Sequence, residues 1–220
     1  MPEIHSYGAP LLPPPPSPAE MAVLYARLQA QWQARGAGDL WVFGYASLIW
    51  NPGFVPAEQR PARVFGWHRA PRLWSRRNRG TPEQPGLVCA LIAGGSCQGV
   101  VMRIPAKQVA VELPRLWERE MPNAVYTPRF LNCHTPGGGV TALAFTLARS
   151  HPAYTGELPP AQLRAILAHA SGCYGSTHDY LAQTLACLRE RGMDCPETAR
   201  LLALAAQGEE PASVGRKSDL

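Results

Sequence analysis

A dense apolar segment, residues 41–50 with the sequence WVFGYASLIW, constrains the fold of this chain more than any other feature. Its apolar and aromatic residues follow one another without polar alternation, a pattern typical of a strand that is buried on both faces. Asn51, Pro52 and Gly53 then supply a turn signal that ends the strand. The segment therefore predicts a core strand with structure packed against both of its faces.

The exit of this strand has a chemical interest of its own. Gly44 interrupts the apolar run where the backbone could approach another group closely, and Tyr45, Ala46 and Ser47 follow it. Such a corner brings backbone N–H groups, a phenol and a hydroxyl together, and it could hold a small anion such as a carboxylate. On local evidence alone, an ordinary core strand with an exit turn explains the same residues.

Size and charge indicate the class of protein. A chain of 220 residues can bury a sizeable core as one domain with appendages. Its net charge is +5, but the arginines are scattered among aromatic residues and prolines instead of forming a run. A nucleic-acid-binding protein usually gathers such residues on one face or helix. The charge fits an anionic small-molecule substrate at least as well, and no nucleic-acid partner is expected.

Cysteine spacing and the N-terminal sequence point to a cytoplasmic protein. The six cysteines form neither a CxxC pair nor a zinc-finger spacing, so we expect reduced thiols. The first residues have neither the basic start nor the apolar core of a signal peptide. No apolar run approaches about 20 residues, so we expect no membrane span.

Composition and local signals divide the chain into four parts. Residues 1–16 are a Pro-rich arm that could serve as a recognition motif, lie on the domain or remain disordered. Residues 17–37 form a helix with Ser17 as its cap, Pro18 at its first position and Glu20 completing a capping box. We expect the main domain at residues 38–206 and a flexible tail at residues 207–220.

The pattern of elements within the main domain favours the α+β class. Strands are predicted at residues 62–74, 87–92, 98–104 and 140–147, and residues 93–96 have the turn chemistry of a hairpin. Helices are predicted at residues 106–121, 160–170, about 177–191 and about 196–206. Strands followed by helices, with one helix between the strands, indicate a mixed sheet or barrel.

The carboxylates of Glu118 and Glu120 are the best candidates for acid–base chemistry. They lie two residues apart on a predicted helix, so they point to different faces and one can be buried while the other stays in water. Burial beside Trp117 and Met121 would raise the pKa of a glutamate, which suits a general acid or base near neutral pH. Alternatively, this is a solvated helix end in which Glu120 pairs with an arginine.

Other catalytic chemistries have weaker support. The six histidines form no HxxxH pair, and the sequence has no phosphate loop or dinucleotide fingerprint. Ser47 lacks the GxSxG setting of a nucleophile elbow. Cys133 and His134 are adjacent, and adjacent side chains on a strand point apart. We therefore expect neither a metal nor a cofactor.

Several motifs together resemble those of one family. Residues 42–50, VFGYASLIW, resemble the VFGYGSLIW signature of the ChaC family, the glutathione-specific γ-glutamylcyclotransferases. Further similar segments follow in the family's order: RGTPEQPGLV at residues 79–88, QGV at 98–100, LWEREM at 116–121, YTPR at 126–129 and DYL at 179–181. The chain is identified as a member of this family, and LWEREM is most similar to its bacterial members.

The resemblance implies a fold, a reaction and a set of site residues. The fold would be a small mixed β-barrel with flanking helices, and Glu120 rather than Glu118 would be the catalytic glutamate. The γ-glutamyl unit of glutathione would bind to the first motif and to two tyrosines, that is, to Val42, Phe43, Gly44, Tyr45, Ala46, Ser47, Leu48, Tyr126 and Tyr154. Ala46 departs from the family's glycine, and we expect it to fit only if its φ is negative.

Two other functions remain open from the sequence. The chain could be a cyclotransferase for other γ-glutamyl amino acids or amines. It could also be a non-enzymatic regulatory protein that binds a partner through the Pro-rich arm.

Overall fold

The computed structural model describes residues 7–206. The first six residues of the Pro-rich arm and the tail predicted at residues 207–220 lie outside this range. The described part contains a closed five-stranded barrel and five α-helices.

The barrel is formed by five strands: β1 (Leu40–Gly44), β2 (Glu58–Ser75), β3 (Gly86–Ile104), β4 (Thr127–Thr135) and β5 (Gly138–Leu147). Their order is β1-β3-β2-β4-β5, and the barrel closes because β1 and β3 both pair with β5. Those two pairings are parallel and the others are antiparallel. The expected mixed barrel of the α+β class is therefore confirmed.

The hairpin predicted at residues 93–96 is wrong. β3 runs through this segment as one strand, and both of its halves pair with β2. Gly94 and Gly95 have φ values of +110° and +68°, and the pairing shifts register between Phe65 and Trp67. These glycines form an irregularity opposite Gly66 within the continuous pairing of β2 and β3. Glycine residues with a positive φ occur in β-bulges as well as in turns, so the same residues fit either structure.

Strand β4 was not predicted from the sequence. Only Cys133 is buried in it, and the other residues are half-buried or exposed. A strand with so little apolar content gives no clear period. Its place is fixed by a full antiparallel ladder with β5, from Thr127 opposite Thr146 to Thr135 opposite Gly138.

The helices begin and end close to their predicted positions. They are α1 (Pro18–Gln33), α2 (Ala106–Glu120), α3 (Pro160–His169), α4 (Thr177–Arg189) and α5 (Pro196–Ala206). The capping box of α1 is present, with the Ser17 hydroxyl accepting from the Glu20 N–H and the Glu20 carboxylate accepting from the Ser17 N–H. No helix among the described residues is both long and apolar enough to cross a membrane.

Strand β1 is buried on both faces, as predicted. Val42 packs in a cluster with Leu143 and with α2, whereas Phe43 packs in a second cluster with Leu91 and Val101. Both side chains are 0% exposed. The alternation of side chains along a strand places these neighbours in different layers, so β1 lies between the two main parts of the core.

The described part of the Pro-rich arm lies on the domain. The backbone carbonyl of Tyr7 accepts a hydrogen bond from Gln162, and that of Pro10 accepts one from Arg76. Leu12 packs against a small apolar cluster beside the barrel, and Tyr126 and Tyr154 pack against the same cluster. One of the alternatives left open for the arm, contact with the domain, is therefore observed.

Candidate active site

Two tyrosines meet where neighbouring strands of the barrel end. β1 and β5 are parallel, so Tyr45 leaves β1 near Phe145, and the Tyr45 hydroxyl donates a 3.0 Å hydrogen bond to the Phe145 carbonyl. Tyr126 immediately precedes β4, and the rings of Tyr126 and Phe145 lie 6.5 Å apart. The topology thus brings together two phenols that are far apart in the sequence.

Glu120 is the last residue of α2, and Met121, which follows it, belongs to the same apolar cluster as Phe145, against which Tyr126 packs. Its side chain is only 13% exposed, and its Oε1 lies 3.0 Å from Nε of Arg119. Arg119 also donates to the carbonyl of Asn51, which connects the helix end to the turn after the corner. Glu118 is exposed whereas the Glu120 side chain is largely withdrawn from solvent, as their two-residue spacing on the helix allows.

Burial dominates the electrostatics of Glu120. Removal from water disfavours its charged form and raises its pKa, although the neighbouring Arg119 acts in the opposite direction. Both sequence interpretations are therefore partly realised, because the carboxylate is buried and also paired with an arginine. A carboxylate with a raised pKa can accept and return a proton at neutral pH.

The two phenols remain protonated hydrogen-bond donors. Burial raises the pKa of Tyr45 and of Tyr126, and the nearby charge of Glu120 raises both further. The site thus combines one proton-transfer group with two neutral phenols, and the proton of Tyr45 is already donated to the Phe145 carbonyl.

The corner after β1 is tightly packed. A Cβ on Gly44 would lie 2.8 Å from Cε of Met102, and one on Gly99 would lie 2.4 Å from the Gly44 carbonyl. Ala46 has a φ of −147°, so the backbone stays at negative φ and tolerates this side chain in place of glycine. The expectation for Ala46 is therefore met.

Three consecutive amides of this corner have no acceptor. Among the described residues, the N–H groups of Ala46, Ser47 and Leu48 donate to no protein atom. The carbonyls of Ala46 and Ser47, in contrast, accept from Ile49 and Asn51 at 2.8 and 2.9 Å. Ala46 and Leu48 are buried residues and Ser47 is half-buried, and their N–H groups are available to donate to an acceptor such as a carboxylate.

The other sequence-predicted residues lie around this centre. The side chains of Val42, Phe43 and Leu48 are buried in the core, so contact with a substrate would have to come from their backbone. Tyr154 forms an isolated bridge with Leu73 and lies under Arg149, 5.9 Å from its guanidinium carbon to the ring centroid. Its role as a substrate contact remains a prediction.

Sequence reasoning missed two residues near the corner. Tyr180 in α4 is buried, and its hydroxyl accepts a 3.2 Å hydrogen bond from the N–H of Cys89. Arg69 is only 7% exposed and donates to the carbonyl of Tyr45 at 2.8 Å. The motif DYL contained a signal for Tyr180, whereas nothing local distinguishes Arg69 from the exposed arginines of the chain.

Comparison with known proteins identifies relatives over most of the chain. Residues 40–208 match the model of a family described as ChaC-like protein. A glutathione-specific γ-glutamylcyclotransferase of Escherichia coli K12 is 37% identical over 145 residues, which cover 66% of this chain and 63% of that protein. Glutathione-specific γ-glutamylcyclotransferase 1 of the rat is 31% identical over 176 residues, covering 77% of this chain and 76% of the relative.

A solved structure with the same fold supports the barrel assignment. The crystal structure of a yeast γ-glutamyl cyclotransferase specific to glutathione aligns with a TM-score of 0.69 at 20% identity. The alignment covers 77% of this chain and 96% of that chain. At this identity the likeness concerns the fold.

Proposed function

The chain belongs to the ChaC-like protein family, and on that basis we propose that it is a glutathione-specific γ-glutamylcyclotransferase. The observation that carries this proposal is the buried Glu120 beside Tyr45, Tyr126 and a corner of unpaired amides. The names of the relatives support glutathione as the substrate.

The proposed reaction is an internal transfer within glutathione. The α-amine of the γ-glutamyl unit attacks its own γ-carbonyl, a five-membered ring closes, and the bond to the cysteine nitrogen breaks. The products are 5-oxoproline and cysteinylglycine, and no water is consumed. Holding the chain in a folded, near-attack pose accounts for much of the rate, because intramolecular geometry can be worth roughly 7–11 kcal/mol.

Glu120 would carry the proton between the two nitrogens. Attack requires a neutral amine and departure requires a protonated cysteine nitrogen, so one carboxylate can take the proton and then return it. Its raised pKa, which results from burial, suits both steps. Glu118 is exposed on another face of α2 and has no part in this exchange.

The corner and the tyrosines would bind two other parts of the substrate, the α-carboxylate and the γ-carbonyl oxygen. The amides of Ala46 and Ser47 can donate to the α-carboxylate, since they have no acceptor in the described part of the chain. The Tyr126 hydroxyl stays protonated and can donate to the oxygen that becomes negative during attack. Tyr154 would complete the substrate side of the site.

A cytoplasmic location belongs to the same proposal. All six cysteines are within the described range and none forms a disulfide. Five of these thiols are buried, and free thiols are typical of a reducing compartment.

Product analysis with matched glutamate variants tests the function. The full chain is incubated with glutathione, and 5-oxoproline and cysteinylglycine are measured by mass spectrometry. We expect Glu120→Gln to lower the rate by roughly 10²–10⁴-fold, the usual worth of a general acid–base, and Glu118→Gln to retain most activity. Absence of turnover by the unmodified protein, or full activity of Glu120→Gln, would refute the proposal.

The same assay examines substrate choice. If γ-glutamylalanine is converted at the same rate as glutathione, the enzyme is not specific for glutathione and acts on γ-glutamyl compounds more broadly.

A further inference from the structure

Arg69 is a buried cation directly behind the corner. It lies on β2 and is 7% exposed, with its guanidinium in the interior of the protein. A buried charge is costly unless it is paired or fully hydrogen-bonded, so the contacts of this side chain explain why it is kept there.

Those contacts are carbonyls and thiols and include no charged group among the described residues. Nη1 donates to the carbonyls of Tyr45 and Gln98 at 2.8 and 3.0 Å, and Nη2 donates to the carbonyl of Asp194 at 3.2 Å. Nε donates to Sγ of Cys195 at 3.3 Å. One side chain therefore joins the exit of β1 to β3 and to the segment before α5.

The bond to Tyr45 also fixes the direction of an amide. The carbonyl of Tyr45 and the N–H of Ala46 belong to one peptide group, and the described chain has no cis peptide. In a planar trans peptide these two bonds point in opposite directions. Arg69 holds the carbonyl on one side, so the Ala46 N–H points to the other, where it has no protein acceptor.

We propose that Arg69 is a positioning residue that aims the Ala46 amide at the α-carboxylate of the γ-glutamyl unit. Donation to the carbonyl polarises the peptide group and strengthens its N–H as a donor. The positive charge, with no carboxylate beside it, also favours an anion across the peptide. This inference rests on the proposed function, because it assumes a substrate with an α-carboxylate at the corner.

The conservative variant Arg69→Lys keeps a cation in the core and removes the fork of donors, so it is the first test. We expect its KM for glutathione to rise about tenfold while kcat changes less than about threefold, because the carboxylate is held equally before and during the reaction. Arg63→Lys is the matched control on the same strand. Arg63 is exposed and donates to the Ser96 hydroxyl at 3.4 Å, away from the corner, so KM should stay near that of the unmodified enzyme.

An analogue without the α-carboxylate separates positioning from a general structural role. γ-Aminobutyryl-cysteinylglycine is used as a competitive inhibitor of the unmodified enzyme and of Arg69→Lys. We expect its inhibition constant to differ less than about twofold between the two proteins, since the group that the amide would bind is missing. Equal weakening of glutathione and the analogue would overturn the proposal, as would an unchanged KM in Arg69→Lys.

The result also distinguishes this inference from the proposed function. If the unmodified protein converts no glutathione, the proposed function fails. If it does convert glutathione and Arg69→Lys binds it normally, only the role of Arg69 fails. Circular dichroism of each variant shows whether the fold is retained, and Arg69→Met, which removes every donor, should give a larger rise in KM than the lysine variant.

Discussion

The hydroxyl of Thr177 gives the sharpest test of the packing around the Arg79–Gly86 loop. This side chain is 0% exposed at the start of α4. Its Oγ1 accepts from the N–H of Leu87 at 3.0 Å and donates to the carbonyl of Arg79 at 3.0 Å. The hydroxyl thereby joins both ends of the loop to the helix. The packing is so close that a Cβ on Gly86 would lie 2.2 Å from Oγ1 of Thr177.

The substitution Thr177→Val keeps the shape of the side chain and removes both hydrogen bonds. The Leu87 amide is fully buried, and leaving it without a partner costs about 2–3 kcal/mol; the Arg79 carbonyl, in a half-exposed loop, adds about 1 kcal/mol. The expected loss in the free energy of unfolding is about 3–4 kcal/mol. For a protein of this size it lowers Tm by about 10 °C.

Thr177→Ser is the matched control. It keeps the hydroxyl and removes one methyl group, so it should cost about 1 kcal/mol and lower Tm by about 3 °C. Urea denaturation followed by circular dichroism gives both free energies, and a thermal scan gives both Tm values. A valine variant as stable as the serine variant would refute the argument, because shape rather than hydrogen bonding would then decide the packing.

Two further predictions concern the site and the arm. Burial raises the pKa of Glu120 in the folded protein above its value in the unfolded chain. The contribution of the protonated carboxyl group to the free energy of unfolding is therefore fully present below the unfolded pKa, and it is lost as pH rises through the folded pKa. The Tm of Glu120→Gln should therefore match that of the unmodified protein near pH 4 and exceed it at pH 8, and a lower Tm at pH 8 would show that the ion pair with Arg119 outweighs burial. In the arm, Leu12 is half-buried and Leu11 is 96% exposed. Leu12→Ala should lower the free energy of unfolding by about 1–2 kcal/mol and Leu11→Ala should leave it unchanged, since only Leu12 loses apolar contacts; equal effects in urea denaturation would show that the arm does not pack on the domain in solution.

Structural features that depend only on residues nearby in the chain could be predicted from the sequence. The apolar density of residues 41–50 indicated a strand buried on both faces, and the cap of α1 was readable from Ser17 and Glu20 alone. The two-residue spacing of Glu118 and Glu120 was enough to predict that the two carboxylates point to different faces of the helix, and Glu118 is the more exposed of the two. These predictions succeeded because the helix and strand periods act within a few residues.

Features that depend on distant partners were not predictable in this way. A Gly-Gly pair fits a hairpin turn or a bulge, and only the partner strand β2 decides between them at Gly94 and Gly95. Strand β4 has a weak apolar pattern and owes its place to β5. Arg69 acquires its role from carbonyls far away along the chain, and no local pattern marks an arginine whose partners are backbone atoms.

The parallel contact between β1 and β5 has a consequence for the order of folding. It joins residues about a hundred positions apart, as does the hydrogen bond from Tyr45 to Phe145. Contacts of such long sequence separation form slowly, because the chain entropy lost on closing the loop precedes any gain from the contact. Strands β2 and β3, which are neighbours in the sequence, can pair before this closure. We therefore expect recovery of catalytic activity during refolding to lag behind recovery of strand content, because the site comes into existence only when the barrel closes.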